Sequence, residues 1–175
     1  MSAGSQDADP VPSDIEIRRV GPEAAGILAA LNAETFAGTA GHPWSAKDFE
    51  ETLGDSAAIA LLATDHRSGA PVGYALFRQV LDEAELLSVG VLETRRGQGV
   101  GGAVIKTGAR LAKNSGTRQI FLEVAEDNLA ALHFYRMLGF AESGKRHDYY
   151  KHGDNPDSIC AILMTASLPL SASRS

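Results

Sequence analysis

Hydrophobic residues recur with a helical period in the first part of the chain and alternate with polar ones further on. A short strand is predicted at Ile15–Val20. A helix follows over Pro22–Phe36, since proline suits a first helical turn, and Phe36 is expected to end its apolar stripe. Ser45 with Asp48 three residues later predicts a capping box at the start of a second helix.

The period then changes to that of strands. Three apolar, near-alternating segments are predicted as strands: Ala57–Thr64, Val72–Val80 and Ala84–Leu92. Short turns with Gly, Pro or acidic residues separate them. Consecutive strands joined by short turns predict an antiparallel meander.

The second half of the chain predicts a β-α-β unit, a helix and a hairpin. A glycine-rich turn opens a helix, and the strand after it, 118–125, should run parallel to 84–92 because a helix connects them. A further helix over 128–138 is expected to end at Gly139. Strands over 140–150 and 159–167 should close the domain as a hairpin. The inward face of the helix that follows the glycine-rich turn is predicted to carry Val100, Val104, Gly108 and Leu111.

These elements define the fold class as mixed α/β, an α+β arrangement on a mixed sheet. A doubly wound nucleotide-binding fold is excluded, because helices do not alternate with every strand. One domain is expected over residues 14–168. Residues 1–13 are small, polar and proline-containing and predict a disordered arm, and 169–175 predict a frayed tail.

Composition excludes several classes of protein. The chain of 175 residues is 44% hydrophobic and has neither a membrane-length apolar run nor a secretory signal pattern, so we expect a soluble cytoplasmic protein. The single cysteine, Cys160, excludes an intrachain disulfide, and its apolar surroundings indicate a small hydrophobe rather than a nucleophile. The five histidines show no metal-ligand spacing. The net charge of −6 argues against general nucleic-acid binding and suits a basic peptide partner.

The stretch Val89–Gly102 has the order strand, glycine-rich turn and helix start, which builds an anion site from backbone N–H groups. A P-loop would need a lysine after the last glycine, where Ala103 stands. A dinucleotide fingerprint belongs at the first strand of a repeated β-α-β array, whereas a meander precedes this turn. The remaining pattern, R-x-x-G-x-G from Arg96, leaves open both a phosphate site and a helix start that only packs closely.

Two side chains further along are candidates for acid–base chemistry. Glu123 shares one strand face with Phe121 and Ala125, so its carboxylate is either a desolvated general base or part of a solvated face. Tyr135 shares a helical face with Asn128, where a tyrosine usually packs with its hydroxyl at the rim. The residues alone leave these alternatives open.

The motif R-R-G-Q-G-V-G-G at residues 95–102 resembles the acetyl-CoA pyrophosphate loop of the GNAT acetyltransferases, whose fold is similar to the predicted element order. Other motifs resemble one branch, the bacterial RimI enzymes, which acetylate the N-terminal alanine of a small-subunit ribosomal protein. The resemblance runs from about Ile15 to Thr165. The motifs are H-P-W-S at 42–45, Q-V-L-D-E-A-E-L at 79–86, L-E-V-A-E-D-N at 122–128, F-Y-R-M-L-G-F at 134–140 and D-Y-Y at 148–150.

The resemblance implies that the parallel strands 84–92 and 118–125 splay apart, and it also implies roles for residues in this sequence. It implies that Glu123 is the general base and that Tyr135 protonates the leaving CoA thiolate. Acceptor contacts are implied at Trp44, Tyr149 and Tyr150, and no metal is expected. Cys160 departs from the family pattern, which tends to have an acidic residue there, and this position bears on the choice of acceptor. The implied acetyl-CoA contacts are Val89, Gly90, Val91, Arg96, Gly97, Gln98, Gly99, Val100, Gly101, Gly102 and Asn128.

We therefore expect an acetyl-CoA-dependent N-α-acetyltransferase that acts on a protein N-terminus, with a ribosomal protein alanine as the implied acceptor. Direct attack by the deprotonated amine in a ternary complex requires no covalent enzyme intermediate. One alternative is a GNAT enzyme that acetylates lysine side chains or a small-molecule amine. Another is a GNAT-like module that binds CoA without catalysis. Direct contact with nucleic acid or a membrane is not expected.

Overall fold

The computed structural model describes residues 11–37, 43–150 and 159–171, which form one mixed sheet and four α-helices. The strands are β1 Ile15–Val20, β2 Ala58–Asp65, β3 Pro71–Val80, β4 Glu83–Val91, β5 Gln119–Ala125, β6 Ala141–Tyr150 and β7 Ile159–Ser167. The helices are α1 Ala25–Thr35, α2 Ala46–Leu53, α3 Val100–Asn114 and α4 Leu129–Met137. The mixed α/β class is confirmed.

The predicted antiparallel meander forms as expected. β2 pairs with β3 and β3 pairs with β4, both antiparallel, and β1 adds to the outer edge of β2. Gly69 lies in the turn between β2 and β3 with φ +69°, a conformation that favours glycine. A glycine at this position therefore suits the short connection between the two strands.

β4 and β5 form the predicted parallel pair, but only over a short length. Their register runs from Glu83 opposite Gln119 to Glu85 opposite Phe121. Beyond that point β4 remains paired with β3 as far as Val91, and β5 remains paired with β7 on its other edge as far as Ala125. The sheet therefore opens between β4 and β5, which confirms the predicted splay of this pair.

The final hairpin forms, in an arrangement that the local pattern does not show. The strand order is β1-β2-β3-β4-β5-β7-β6, so the last strand inserts between β5 and β6 and pairs antiparallel with both. The predicted connection between the two hairpin strands, residues 151–158, lies outside the described ranges.

Two apolar layers cover opposite faces of the sheet. In the first, the α3–α4 layer, Ile105 of α3 and Leu132 of α4 are buried with the inward residues of β5. In the second layer, the α1–α2 layer, Leu28 of α1 and Tyr74 of β3 are buried with residues of α2 and β2. Among the described residues, none from β5, β6 or β7 belongs to the second layer. The α1–α2 layer therefore covers only the first half of the sheet.

Helix ends follow the predicted local chemistry. The Asp48 backbone N–H donates to Ser45 Oγ, and the Ser45 N–H donates to the Asp48 carboxylate at 2.7 Å, so the capping box is confirmed. Gly139 follows α4 with φ +92°, as a terminating glycine should. The expectation for Phe36 is wrong: it lies beyond the end of α1 and is 39% exposed, whereas Asn32 is buried.

The chain ends are described only in part. Residues 1–10 and 172–175 lie outside the described ranges, so the disordered arm, the frayed tail and the 14–168 domain bounds stay predictions. Within the described part, the Ile15 N–H donates to the Pro12 carbonyl at 2.9 Å, and Leu170 packs against the α3–α4 layer. None of the helices in these ranges is long and apolar enough to cross a membrane.

Candidate active site

The glycine-rich turn leaves the start of α3 open to an anion. Gly97 and Gly99 have φ values of +73° and +83°, which L side chains rarely adopt. Gly99 is the N-cap of α3, and no side chain in the described part of the chain caps the helix. The first backbone N–H groups of α3 therefore have no partner within the helix, and together with the helix dipole they favour a phosphate ligand.

The glycines in the first turn of α3 also allow close packing. A Cβ on Gly101 would lie 3.2 Å from Cζ of Phe134, and one on Gly102 would lie 3.7 Å from Cδ2 of Leu138, so α4 lies against this turn. A Cβ on Gly97 would meet no atom of the described residues within 4 Å. Close packing therefore explains the glycines nearest α4, and the open turn around Gly97 leaves room for a ligand.

The polar side chains of the turn are engaged in fixing its shape. Arg96 donates from Nε to the Val91 carbonyl and from Nη2 to the Thr35 carbonyl, each at 3.1 Å. Gln98 donates from Nε2 to the Thr94 carbonyl at 3.0 Å. Arg96 thus ties the turn to the end of β4 and to the last residue of α1. The backbone N–H groups are consequently the main donors that the turn offers to an anion.

Arg95 anchors the turn to the residue just before β1 and to the end of β2. Its Nη1 lies 2.7 Å from Oδ2 of Asp14, and its Nη2 pairs with Asp65 at the end of β2. Hydrogen bonds from the backbone N–H and the hydroxyl of Ser68 lower the pKa of Asp65, and the charge of Arg95 contributes to the same effect. The Arg95 guanidinium therefore pairs with carboxylates of the protein itself in this structure.

β4 carries a bulge that the sequence pattern did not reveal. Leu76 of β3 pairs with Ser88, but the next residue, Phe77, pairs with Leu86. Leu87 is therefore an extra residue in β4, and a bulge leaves backbone groups outside the regular ladder. The bulge lies just past the last β4–β5 pair, at the base of the opening.

The bulge decides which way the predicted cofactor-binding residues of β4 face. Val89 and Val91 pack against the α3–α4 layer, as ordinary core side chains. Gly90 faces α1, and a Cβ there would lie 2.5 Å from Oγ1 of Thr35. Any contact between this strand and a ligand would therefore come from its backbone at the edge facing the opening.

A buried polar cluster, which sequence analysis missed, joins α1 to β3, β4 and the start of α2. Asn32 is 2% exposed, and its Nδ2 donates to Tyr74 Oη at 2.7 Å and to Ser88 Oγ at 3.4 Å. Its Oδ1 accepts from the Trp44 N–H at 2.8 Å. The available signal was a polar residue at an inward helical position, four residues after Leu28.

Glu123 lies on β5 beyond the last pair with β4, on the face that α1 and α2 leave uncovered. Its neighbours Leu122 and Val124 are buried in the α3–α4 layer, so the predicted alternation of β5 is confirmed. The Glu123 side chain is 20% exposed and pairs with Arg146 of β6. Arg146 Nη1 lies 3.3 Å and 3.4 Å from the two carboxylate oxygens. A carboxylate at the edge of an opening in the sheet can accept a proton from a ligand.

Tyr135 approaches the sheet from α4, on the face opposite Glu123. Its ring packs edge-on against Phe140, with centroids 5.8 Å apart. Burial raises the pKa of Tyr135 to about 12, and the nearby Tyr74 phenol contributes to the rise. The phenol is therefore protonated at neutral pH and can donate a proton. Asn128 Oδ1 caps α4 by accepting from the Ala131 N–H at 3.1 Å.

Trp44 lies on the same side of the sheet as the Glu123 side chain. Its ring packs on Phe49, with centroids 5.3 Å apart, and it borders a shallow cleft of about 320 Å³ beside α2. His42 and the side chains of Tyr149 and Tyr150 lie outside the described residues. Of the predicted acceptor contacts, only Trp44 can therefore be placed.

The described residues of the site include groups capable of acid–base chemistry. Within the described ranges, no group of three or more His, Cys, Asp and Glu side chains could hold a metal ion. Cys160 is 9% exposed in β7, as expected of a small hydrophobe. The arrangement can hold a phosphorylated ligand at the start of α3 and move protons at the opening between β4 and β5.

Comparison with known proteins identifies the family of this chain. The model of the acetyltransferase (GNAT) family matches residues 26–140, which include the bulged strand, the glycine-rich turn and the positions of Glu123 and Tyr135. The chain belongs to the GNAT family of acetyltransferases.

The chain is similar to proteins from Escherichia coli and Arabidopsis thaliana. It is 33% identical over 129 residues to the [ribosomal protein bS18]-alanine N-acetyltransferase of Escherichia coli strain K12, covering 74% of this chain and 82% of that protein. The crystal structure of the ribosomal-protein-S18-alanine N-acetyltransferase from Escherichia coli matches with a TM-score of 0.76 at 25% identity, over 92% of this chain and 98% of that one. Arabidopsis thaliana NAA60 in complex with acetyl-CoA shares the fold, with a TM-score of 0.74 at 18% identity over 88% and 98% of the two chains.

Proposed function

We propose that this protein transfers the acetyl group of acetyl-CoA to the N-terminal α-amine of a protein, with the N-terminal alanine of a small-subunit ribosomal protein as acceptor. The observation that carries the proposal is the opening between β4 and β5, which has the uncapped start of α3 at one end and Glu123 at its edge. The 33% identity to the E. coli enzyme supports this choice of acceptor. A cytoplasmic location is part of the proposal and rests on composition.

Acetyl-CoA is held by the backbone in this proposal. Its pyrophosphate accepts hydrogen bonds from the N–H groups between Gly97 and Gly102, and its pantetheine arm runs along the edge of β4 that β5 leaves unpaired. The bulge at Leu87 takes backbone groups out of the regular ladder at the base of the opening. In this proposal, a backbone N–H group there stabilises the oxyanion of the tetrahedral intermediate.

Glu123 acts first, as general base. A protein α-amine has a pKa of about 8, so at neutral pH most of it is an ammonium without a free electron pair. The Glu123 carboxylate accepts one proton from this ammonium, and the nitrogen then attacks the thioester carbonyl carbon. That proton passes to solvent after the reaction.

Tyr135 acts second, as general acid. When the tetrahedral intermediate collapses, the C–S bond breaks and the new C–N bond remains. The thiolate takes a proton from the Tyr135 phenol, which regains one from the acetylated nitrogen as that nitrogen loses its excess proton. The products are an N-acetyl peptide and CoA thiol, with one proton released overall. The raised pKa of Tyr135 keeps the phenol protonated until this step.

Mass spectrometry after incubation with acetyl-CoA tests the function. The acceptor panel consists of peptides that begin with Ala, Ser or Met and a lysine-only peptide with a blocked N-terminus. We expect acetylation of the α-amine of the alanine peptide. Acetylation of the lysine peptide alone would favour the lysine or small-amine alternative, and binding of acetyl-CoA without turnover would favour a non-catalytic module.

Matched variants test the residue roles. Glu123→Gln and Tyr135→Phe should each lower kcat by about a hundredfold or more, the usual worth of a general acid or base. Glu126→Gln is the control, because Glu126 is a nearby carboxylate that pairs with Lys145. Wild-type turnover in either site variant would remove that residue from the mechanism and leave the family assignment intact.

A further inference from the structure

Glu123 shares its open face of the sheet with a row of residues from β7 and β6. The register places Ala161 of β7 opposite both Ala125 of β5 and Arg146 of β6. Arg146 is therefore two strands away from β5, about 9.6 Å at the usual strand spacing, and it is level with Ala125, two residues along the strand from Glu123. Only long side chains can meet across that distance, and the short side chain of Ala161 leaves room for the arginine to cross.

The contact between Arg146 and Glu123 is an ion pair in which another cation can easily replace the arginine. A single nitrogen, Nη1, faces both carboxylate oxygens at 3.3 Å and 3.4 Å, instead of two nitrogens pairing with two oxygens. The side chains are 61% and 20% exposed. Pairs of this geometry and exposure contribute little to stability, so their place on the protein calls for another explanation.

The position of the Arg146–Glu123 contact supplies this other explanation. Under the proposed function, on which this inference rests, the acceptor presents an ammonium group to Glu123. The guanidinium of Arg146 already occupies the position beside the carboxylate that the ammonium needs. Two cations at one carboxylate repel each other, so binding of one displaces the other.

We propose that Arg146 is a positioning residue for the acceptor: it holds the Glu123 carboxylate over the open face while no acceptor is bound, and the acceptor ammonium displaces it. The displaced guanidinium remains solvated because it is largely exposed, so the exchange requires no burial of charge. Arg146 thereby sets the apparent affinity for the acceptor, and the chemical step is left to Glu123.

Steady-state kinetics with the alanine peptide test the proposal. Arg146→Gln should lower KM for the peptide by between about threefold and tenfold, as removal of a nearby like charge predicts. kcat should stay within about twofold, because the chemistry is unchanged. Arg146→Lys keeps the cation and should restore the wild-type KM. A purely structural role predicts the opposite, a raised KM together with a lowered melting temperature.

Lys145→Gln is the matched control. Lys145 is the adjacent cation on β6 and pairs with Glu126 rather than with Glu123, so its loss should leave KM for the peptide unchanged. An equal fall in KM in Lys145→Gln and Arg146→Gln would show a general charge effect and would overturn the proposal.

Peptide binding in the presence of CoA, measured by calorimetry, separates this inference from the proposed function. In a Glu123→Gln background, Arg146→Gln should no longer change the Kd of the peptide, because the Arg146 guanidinium and the acceptor ammonium then have no carboxylate to compete for. A full effect of Arg146→Gln in that background would overturn the inference alone. Unimpaired turnover of Glu123→Gln would instead overturn the proposed role of Glu123, whatever Arg146→Gln does to KM.

Discussion

At the scale of single residues, the amide of Asn32 connects three parts of the molecule. It bonds to Tyr74 of β3 and Ser88 of β4, and it holds the Trp44 backbone at the entry to α2. A polar group buried this deeply stabilises the protein only while each of its atoms has a partner. Asn32 therefore fixes the position of α1 and of the segment that carries Trp44.

Asn32→Leu should lower the free energy of unfolding by about 3 kcal/mol, because leucine has the same branching and leaves the Trp44 N–H without its acceptor. Urea denaturation measures the change. Asn114→Ala, at the exposed end of α3, serves as control and should change stability by at most about 0.5 kcal/mol. Equal losses in the two variants would show that the buried amide is not holding α1 in place.

Tyr135 predicts a dependence of stability on alkaline pH. Its folded-state pKa is about 12 against 10.0 for an ordinary tyrosine, so the unfolded chain loses this proton first as pH rises. The folded state binds more protons in this window, and the stabilisation present below pH 10 is therefore lost between about pH 10 and 12. Between pH 9 and 11 the free energy of unfolding of the wild type should fall by about 1.3 kcal/mol more than that of Tyr135→Phe.

Urea denaturation of the two proteins at both pH values gives that difference. The other titrating groups are common to the two proteins, so their contributions cancel apart from that of Tyr74, which interacts with Tyr135. Parallel pH dependence in wild type and Tyr135→Phe would mean that the pKa of this phenol is not raised in the folded state.

At the scale of elements, close contact between α1 and β4 determines the shape of the opening. Gly90 lies where a Cβ would come within 2.5 Å of Thr35 Oγ1 and 2.6 Å of Tyr74 Cε1. The same end of α1 accepts a hydrogen bond from Arg96 of the glycine-rich turn. Helix α1 is thus attached both to the bulged strand and to the turn that would bind pyrophosphate.

Gly90→Ala should destabilise the protein by about 2 kcal/mol, since the added methyl group must push α1 away from β4. Gly26→Ala is the matched control: a Cβ there meets no atom within 4 Å, and alanine in a helix should stabilise by about 0.5 to 1 kcal/mol. Thermal and urea unfolding measure both. A Gly90→Ala protein as stable as Gly26→Ala would contradict the close approach.

At the scale of the whole molecule, local signals predicted the elements and distant pairings determined the site. The capping box at Ser45, the terminating Gly139 and the parallel crossover depend on neighbours in sequence, and each could be predicted. The insertion of β7 between β5 and β6, and the bulge at Leu87, depend on register between strands, which a pattern of apolar residues does not specify.

The same distinction holds for the candidate site. The glycine-rich turn is a local feature, and the glycines alone indicated a helix start that could either bind an anion or pack closely. The partners of Asn32 lie 42 and 56 residues away, and Arg146 lies 23 residues from Glu123. Such contacts exist only once the sheet has formed, so no spacing in the sequence indicates them.

The split sheet predicts a response of the whole fold to acetyl-CoA. A ligand that binds only the folded state at a hundred times its Kd should add about 2.7 kcal/mol, which for a domain of this size corresponds to a rise in melting temperature of about 5 to 10 °C. Pantetheine lacks the pyrophosphate and should give a much smaller rise at the same concentration, because it cannot use the backbone N–H groups at the start of α3. Differential scanning fluorimetry measures both shifts. Equal shifts from acetyl-CoA and pantetheine would show that the glycine-rich turn contributes nothing to binding, and the ligand would then be held by β4 alone.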